Sequence, residues 1–207
     1  NYGANIIFTN PKQAFLDAEN AKNEGYYFIH PFDGPLTLQG SATLGLEIVE
    51  YLKLINTKID NLLISVGGGG LISGVSSYIK QFYPKIKIIG VEPENANGLN
   101  QSLRANKPLN NVNVNSIADS LSAPLHMQYS FDVAKEVIDE MVTVSDDEMK
   151  KFMVFCYKKF KLFLEPACVA GLAALKYKIN NKLIGKNTMV ILCGSNIDKK
   201  TWSDLTN

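Results

Sequence analysis

The sequence predicts an α/β fold with a doubly wound, mostly parallel sheet, preceded by the tail of a smaller α/β domain. Residues 62 to 66 form an apolar run typical of a strand buried on both faces, and a glycine run, a helical pattern and a second apolar strand at 86 to 91 follow it. This β-α-β order is typical of parallel strand pairs. A further apolar strand is predicted near the end of the chain, at residues 189 to 192.

The first 35 residues have the pattern of a small α/β unit. We predict strands at residues 5 to 9 and 26 to 29, separated by a helix that starts at Pro11. Residues 30 to 40 contain two prolines and two glycines and are predicted to be a connecting loop. We therefore place a domain boundary there, with residues 1–35 as the incomplete tail of the small domain and residues 36–207 as the large domain.

Helical periodicity is found at several places in the large domain. It predicts helices at residues 44 to 55 and 71 to 82, and a short helix at 99 to 104 inside an asparagine-rich loop. Ser145 and Glu148 form a capping box that predicts the start of a further helix, and Pro166 precedes a run of small residues that predicts a helix packed closely on the sheet.

Composition restricts the classes of partner. The chain has 207 residues, of which 46% are hydrophobic and 20% charged, and its net charge is +1. This balance disfavours a nucleic-acid or anionic membrane partner and favours a small neutral or zwitterionic ligand. No apolar run reaches the ~18 residues of a membrane-spanning helix, and the odd number of cysteines indicates a reducing, cytoplasmic compartment.

Four consecutive glycines, Gly67 to Gly70, follow the buried strand and precede a helix. Each glycine costs about 0.5–1 kcal/mol relative to alanine, so a run of four needs a reason. Backbone N–H groups at a helix N-terminus can bind a phosphate, and the absence of Cβ atoms allows the close approach. Leu71 and Ile72 exclude the dinucleotide fingerprint, and Val75 excludes the Walker pattern. The alternative is a tight turn whose glycines serve packing alone.

Three of the predicted strands are each followed directly by a turn or by polar residues. The glycine run, the pair Glu92-Pro93 and the segment 193 to 196 each follow a strand. Since ligands of open parallel sheets bind at the carboxyl ends of the strands, we expect all three to face one crevice.

Six motifs in order give the chain a family likeness. They are His30-Pro31-Phe32-Asp33, Gly67-Gly68-Gly69-Gly70-Leu71, Gly90-Val91-Glu92-Pro93, Ile117-Ala118-Asp119, Leu164-Glu165-Pro166-Ala167 and Cys193-Gly194-Ser195-Asn196-Ile197-Asp198. Together they resemble the pyridoxal-phosphate enzymes of fold type II, specifically the branch of the threonine/serine dehydratases and serine racemases. The resemblance extends over nearly the whole chain.

The resemblance implies pyridoxal 5′-phosphate as cofactor and assigns residues to it. Backbone amides of the glycine run and the next residue would hold the phosphate, Gly67 would shape the turn, and Cys193 would lie beside the pyridine nitrogen. A neutral partner there leaves the nitrogen largely unprotonated, which weakens the cofactor as an electron sink. The alternative for Cys193 is a small core residue. The assigned cofactor-binding residues are Gly67, Gly68, Gly69, Gly70, Leu71 and Cys193.

The branch also has a site for a divalent cation, Mg²⁺ or Mn²⁺. Glu92 and the carbonyl of Ala96 match two of its ligands, but the third carboxylate is replaced by Gly98. Glu92 could instead be a solvated loop acid. The resemblance further places Phe32 near the cofactor ring and Glu165 near the base of the pocket, and packing or capping remains the alternative for both.

The family forms its Schiff base on a lysine in a Ser-Phe-Lys-x-Arg-Gly context, which these residues do not contain. The sequence starts at Asn1, and we expect this lysine to lie upstream of it. The chain then corresponds to the C-terminal two thirds of an enzyme and is inactive alone, because the lysine supplies both the covalent link and the proton acceptor.

Two hypotheses of function follow. In the first, the chain is the C-terminal portion of a homo-oligomeric threonine/serine dehydratase, which eliminates the β-hydroxyl of serine or threonine to give a 2-oxo acid and ammonia, or of a serine racemase. In the second, it is a non-catalytic remnant that binds a phosphate ligand or a protein partner.

Overall fold

The computed structural model describes residues 3 to 206, apart from the side chains of residues 11 and 12. The chain separates into two compact units, one ending at Pro31 and the other beginning at Phe32. Among the described residues, no helix is both long and apolar enough to cross a membrane.

The first unit contains helix α1 (Pro11–Ala21) and the short 3-10 helix Lys22–Glu24. The side chain of Asn10 caps α1 by accepting a hydrogen bond from the N–H of Gln13 at 2.9 Å. The two strands predicted in this unit are wrong, since residues 5 to 9 and 26 to 29 form none. A strand needs a hydrogen-bonded neighbour, and no described residue supplies one, so the apolar side chains there are exposed, as in Phe8 at 92%.

The second unit contains a four-stranded parallel sheet flanked by helices. Its strands and helices, in chain order, are α2 (Pro35–Leu54), β1 (Asn61–Ser65), α3 (Gly70–Phe82), β2 (Lys87–Pro93), α4 (Gly98–Ala105), α5 (Gln128–Val137), β3 (Glu140–Val144), α6 (Asp146–Phe160), α7 (Pro166–Tyr177), β4 (Thr188–Val190) and α8 (Lys199–Thr206), with 3-10 helices at Glu94–Ala96, Asp119–Leu121 and Asn180–Lys182. The strand order is β3-β2-β1-β4.

Both faces of the sheet are covered, which confirms the predicted α/β class. Successive side chains of a strand point to opposite faces. Leu63 and Ile89 accordingly join a core with α6 and α7, whereas Leu62, Ile64 and Ile88 join a second core with α2 and α3. The sheet therefore separates two apolar cores, and β1 is an interior strand between β2 and β4.

Helix α2 begins nine residues before the predicted start, because Pro35 occupies its first turn and Gly40 does not interrupt it. It lies against α3 with the two backbones in contact. A Cβ on Gly45 would stand 2.7 Å from the carbonyl oxygen of Val75, and a Cβ on Gly74 would overlap the carbonyl oxygen of Leu38. The two glycines thus set how closely the helices approach.

The capping box is confirmed, whereas α5 and β3 had no counterpart in the sequence prediction. The hydroxyl of Ser145 accepts from the N–H of Glu148 at 3.2 Å, and the Glu148 carboxylate accepts from the N–H of Ser145 at 2.9 Å. The helix predicted at 71 to 82 forms as α3 and begins one residue earlier. The helix predicted at 99 to 104 forms as α4, begins one residue earlier and ends one residue later.

We predict that Gly45→Ala destabilises the protein by about 1–3 kcal/mol, because the added methyl group must separate α2 from α3. Gly40→Ala is the matched control: it lies in the same helix with no atom within 4 Å of its Cβ position. There we expect a gain of about 0.5–1 kcal/mol from helix propensity and unfolded-state entropy. Urea unfolding measures both, and equal effects of the two variants would contradict the close contact.

Candidate functional site

The glycine loop connects the end of β1 to the start of α3. Gly69 has a φ of 93°, the left-handed conformation that glycine adopts without strain, and Gly70 is the first residue of α3. The N–H groups of residues 68 to 71 have no hydrogen-bond partner within the described part of the chain, as is general for the first turn of a helix. The loop therefore presents several free donors at a helix N-terminus, where anions bind favourably.

The missing Cβ atoms of this loop also have a packing reason. A Cβ on Gly68 would overlap the ring of Phe32, and a Cβ on Gly70 would lie 2.6 Å from the Phe32 carbonyl oxygen. A Cβ on Gly67 would lie 3.0 Å from the backbone of Leu121. The packing interpretation thus accounts for the absence of side chains, and the free N–H groups leave the phosphate interpretation open.

Phe32 is held in place by the residue that follows it. The Asp33 carboxylate accepts a hydrogen bond at 2.7 Å from the N–H of Ser130 in α5. The hydroxyl of Ser73, in α3, donates at 3.0 Å to the carbonyl of Ser130. Helix α5 therefore connects the Phe32 segment to the helix that begins at the glycine loop.

A second loop, after β4, carries Cys193 and is fixed by Glu165 at the start of α7. The Glu165 carboxylate accepts from the N–H of Asn196 at 3.0 Å and from the hydroxyl of Ser120 at 3.3 Å. Burial raises the pKa of the Cys193 thiol, and the nearby Glu165 charge raises it further. The thiol is therefore neutral at pH 7.

The three predicted strand ends belong to three neighbouring strands, β2, β1 and β4. The turn at Ser120 and Leu121 lies between two of their loops, since its backbone contacts Gly67 and the Ser120 hydroxyl bonds Glu165. The structure thus brings the glycine loop and the Cys193 loop to one edge of the sheet. Ser120 and Glu165 connect them through a tertiary contact that sequence reasoning left open.

Glu92 faces α4, and the interpretation of it as a solvated acid is wrong. Its side chain is 0% exposed, and its two carboxylate oxygens accept from the N–H groups of Leu99 and Asn100 at 2.8 and 3.0 Å. Burial raises the pKa of Glu92 to about 8, against the lowering effect of these two bonds. The described residues contain no group of three metal-ligating side chains, so the cation site predicted at Glu92 and Ala96 is not supported.

His126, which the sequence analysis did not single out, lies between α4 and the glycine loop. It is 4% exposed, and neither ring nitrogen has a hydrogen-bond partner among the described residues. Its Nε2 lies 2.5 Å from where a Cβ on Gly98 would stand. Burial lowers its pKa to about 4, and the backbone of Gly68 opposes this shift. Only the fold brings this residue to the loop.

Comparison with known proteins agrees with this architecture. Residues 1–194 match the family model described as pyridoxal-phosphate dependent enzyme. Phenylserine dehydratase of Ralstonia pickettii is 38% identical over 204 residues, which are 98% of this chain and 61% of that protein. L-threonine ammonia-lyase of Geobacter sulfurreducens is 35% identical over 98% of this chain and 50% of that protein. The chain thus spans between half and two thirds of the length of these relatives.

Solved structures show the same fold. Maize serine racemase superposes with a TM-score of 0.84 at 28% identity, covering 99% of this chain and 63% of that one. Threonine deaminase isoform 2 of Solanum lycopersicum superposes with a TM-score of 0.83 at 34% identity, covering 91% of this chain and 54% of that one. The chain therefore belongs to the pyridoxal-phosphate-dependent enzymes of fold type II, in the family of the threonine and serine dehydratases and serine racemases.

Proposed function

We propose that this chain holds the phosphate of pyridoxal 5′-phosphate at its glycine loop, as part of an enzyme that eliminates the β-hydroxyl group of serine or threonine. The observation that carries the proposal is the row of free N–H groups at residues 68 to 71, at the N-terminus of a 13-residue helix. Backbone donors and the helix dipole together favour a dianionic group at this position.

The residues present fit the cofactor. Gly67 sets the turn against Leu121, Gly68, Gly69, Gly70 and Leu71 supply donors, and Cys193 lies on the adjacent loop. When bound, the cofactor supplies an electron sink that stabilises negative charge at the substrate Cα. The neutral thiol of the half-buried Cys193 would leave the pyridine nitrogen unprotonated, because it offers no negative charge to hold a proton there. Glu165 positions that loop through Asn196.

The complete reaction needs a lysine that removes the Cα proton of the substrate. These 207 residues contain no Ser-Phe-Lys-x-Arg-Gly motif. We propose that the catalytic lysine comes from a polypeptide segment outside them, that the chain alone does not turn over substrate, and that the complete enzyme is a cytoplasmic homo-oligomer. Its products would be a 2-oxo acid and ammonia. Racemisation of serine is the other reaction that this arrangement allows.

A second candidate function is binding without catalysis. The exposed apolar surface of the first unit favours it, since Ile7 is 83% and Phe8 92% exposed. Surface of this kind marks contact sites for other polypeptides. In this case the chain binds a phosphate ligand or a protein partner and adds no chemistry.

Coexpression with a segment of a relative that carries the lysine motif separates the two functions. If the chain is part of a dehydratase, the purified complex shows the visible absorbance of a lysine-bound cofactor and releases 2-oxo acid from threonine or serine. The same complex with its lysine replaced by alanine is the control. Binding of the segment with neither signal would support the non-catalytic function.

We predict that Gly69→Ala weakens binding of pyridoxine 5′-phosphate about five- to thirtyfold, because an alanine with a positive φ costs about 1–2 kcal/mol and displaces the loop amides. This ligand has no aldehyde to react with lysines. Gly185→Ala is the matched control, since Gly185 has a φ of +74° and free space around it, in a turn before β4. It should lower stability without changing affinity. Calorimetric titration measures both, and equal affinities of Gly69→Ala and wild type would contradict a phosphate site at this loop.

We predict that Glu165→Gln lowers the pKa of Cys193, because the Glu165 charge raises it in the wild type. The thiolate fraction then rises, and alkylation of Cys193 by iodoacetamide at pH 8 should become about two- to tenfold faster. Peptide mapping separates Cys193 from the buried Cys156 and Cys168. Glu136→Gln, at an exposed position, is the control. An unchanged rate in the Glu165 variant would show that its charge does not act on the thiol.

A further inference from the structure

The first turn of α4 is flanked by two buried polar side chains that the proposed function does not use. Glu92 is 0% and His126 4% exposed. Neither nitrogen of His126 makes a hydrogen bond of normal geometry among the described residues, although the backbone of Gly68 is close enough to raise the pKa of the ring, and leaving a buried polar group poorly paired is costly. The position of this imidazole therefore needs an explanation.

The imidazole fills the space that a side chain at position 98 would otherwise enter. A Cβ on Gly98 would stand 2.5 Å from Nε2 of His126 and 3.3 Å from Cγ1 of Val112. A carboxylate side chain at position 98 would therefore have to displace the imidazole of His126. Mg²⁺ requires six oxygen ligands in near-octahedral geometry and Ca²⁺ six to eight, so the loss of one carboxylate is a serious defect in such a site.

The backbone of α4 already compensates the Glu92 carboxylate. One oxygen accepts from the N–H of Leu99 at 2.8 Å and the other from the N–H of Asn100 at 3.0 Å. These N–H groups belong to the first turn of α4, so both oxygens of the Glu92 side chain already have hydrogen-bond donors. The carboxylate thus serves as a cap of α4, with no cation between it and the helix.

We propose that Glu92 and Ala96 do not bind a divalent cation in this chain, and that the imidazole of His126 occupies the space that a ligand side chain at position 98 would enter. The ring fills the space between Gly98 and the backbone of Gly68, so it joins the first turn of α4 to the glycine loop. The protein folds and keeps this turn in place without Mg²⁺, Mn²⁺ or Ca²⁺.

Thermal unfolding of the wild-type chain tests whether a cation binds. The chain is first treated with a chelator, and each cation is then added at millimolar concentration. A cation present at a hundred times its Kd would raise the Tm of a domain of this size by roughly 5–10 °C. We expect no rise with Mg²⁺, Mn²⁺ or Ca²⁺.

The double variant Gly98→Asp, His126→Ala tests the role of the imidazole, because it removes the ring and places a carboxylate at position 98. Gly98 has no positive φ and opens α4, where aspartate is well tolerated. We expect this variant to gain a cation-dependent rise in Tm of several degrees. The rise should disappear when Glu92→Gln is added, and the single variant His126→Ala should show none.

Two results overturn the proposal. The first is stabilisation of the wild type by a cation that is lost in Glu92→Gln or in His126→Ala, since the imidazole would then accompany or bind the ion. The second is a folded double variant without any cation response, since the imidazole would then not be what closes the site. If the double variant does not fold, calorimetric titration of the wild type with each cation decides the question.

Discussion

Phe32 lies with its ring against Gly68 and its backbone against Gly70, and the position of the whole glycine loop depends on this contact. Any side chain at either glycine would separate the loop from Phe32, which Asp33 holds to α5. The packing and the free N–H groups are consequences of the same feature, because a loop without side chains can both pack closely on one side and admit a ligand on the other. The close packing against Phe32 offsets the conformational entropy that four glycines lose on folding.

Two acidic side chains, Glu92 and Glu165, hold the loops around this contact. Glu92 connects β2 to α4, and Glu165 connects the start of α7 to the loop after β4. Glu92 accepts from the N–H groups of Leu99 and Asn100, and leaving a buried donor of this kind unpaired costs about 1–3 kcal/mol. Glu165 accepts from one exposed backbone N–H, that of Asn196, and from the hydroxyl of Ser120. The two differ in setting. Glu92 is fully enclosed and acts only on the backbone, whereas Glu165 is half-buried and also sets the electrostatic environment of Cys193.

The parts of the fold that the sequence predicted are those determined by local pattern. The strand at 61 to 65, the glycine loop and α3 form a contiguous segment, and the capping box at Ser145 marks a helix start through two neighbouring bonds. The start of α2 was missed because Gly40 interrupts a helical pattern that tertiary packing sustains. The contacts of His126 and Ser120 could not be predicted, because they join residues far apart in the sequence, His126 with Gly98 and Ser120 with Glu165. The strands expected before residue 30 needed a partner strand that no pattern within the segment can supply.

The glycine loop is shaped by contacts with Phe32, Leu121 and the first turn of α3, which all belong to the second unit. None of them requires the family's lysine. The N–H groups of residues 68 to 71 are therefore oriented without that lysine, so binding of the proposed phosphate would not include the cost of ordering the loop. The proposed phosphate recognition and proton transfer are therefore separable. The first would use only the backbone of the second unit, whereas the second would need one lysine side chain from outside these residues. A chain that keeps the first can act as an anchor for the cofactor whichever polypeptide segment supplies the second.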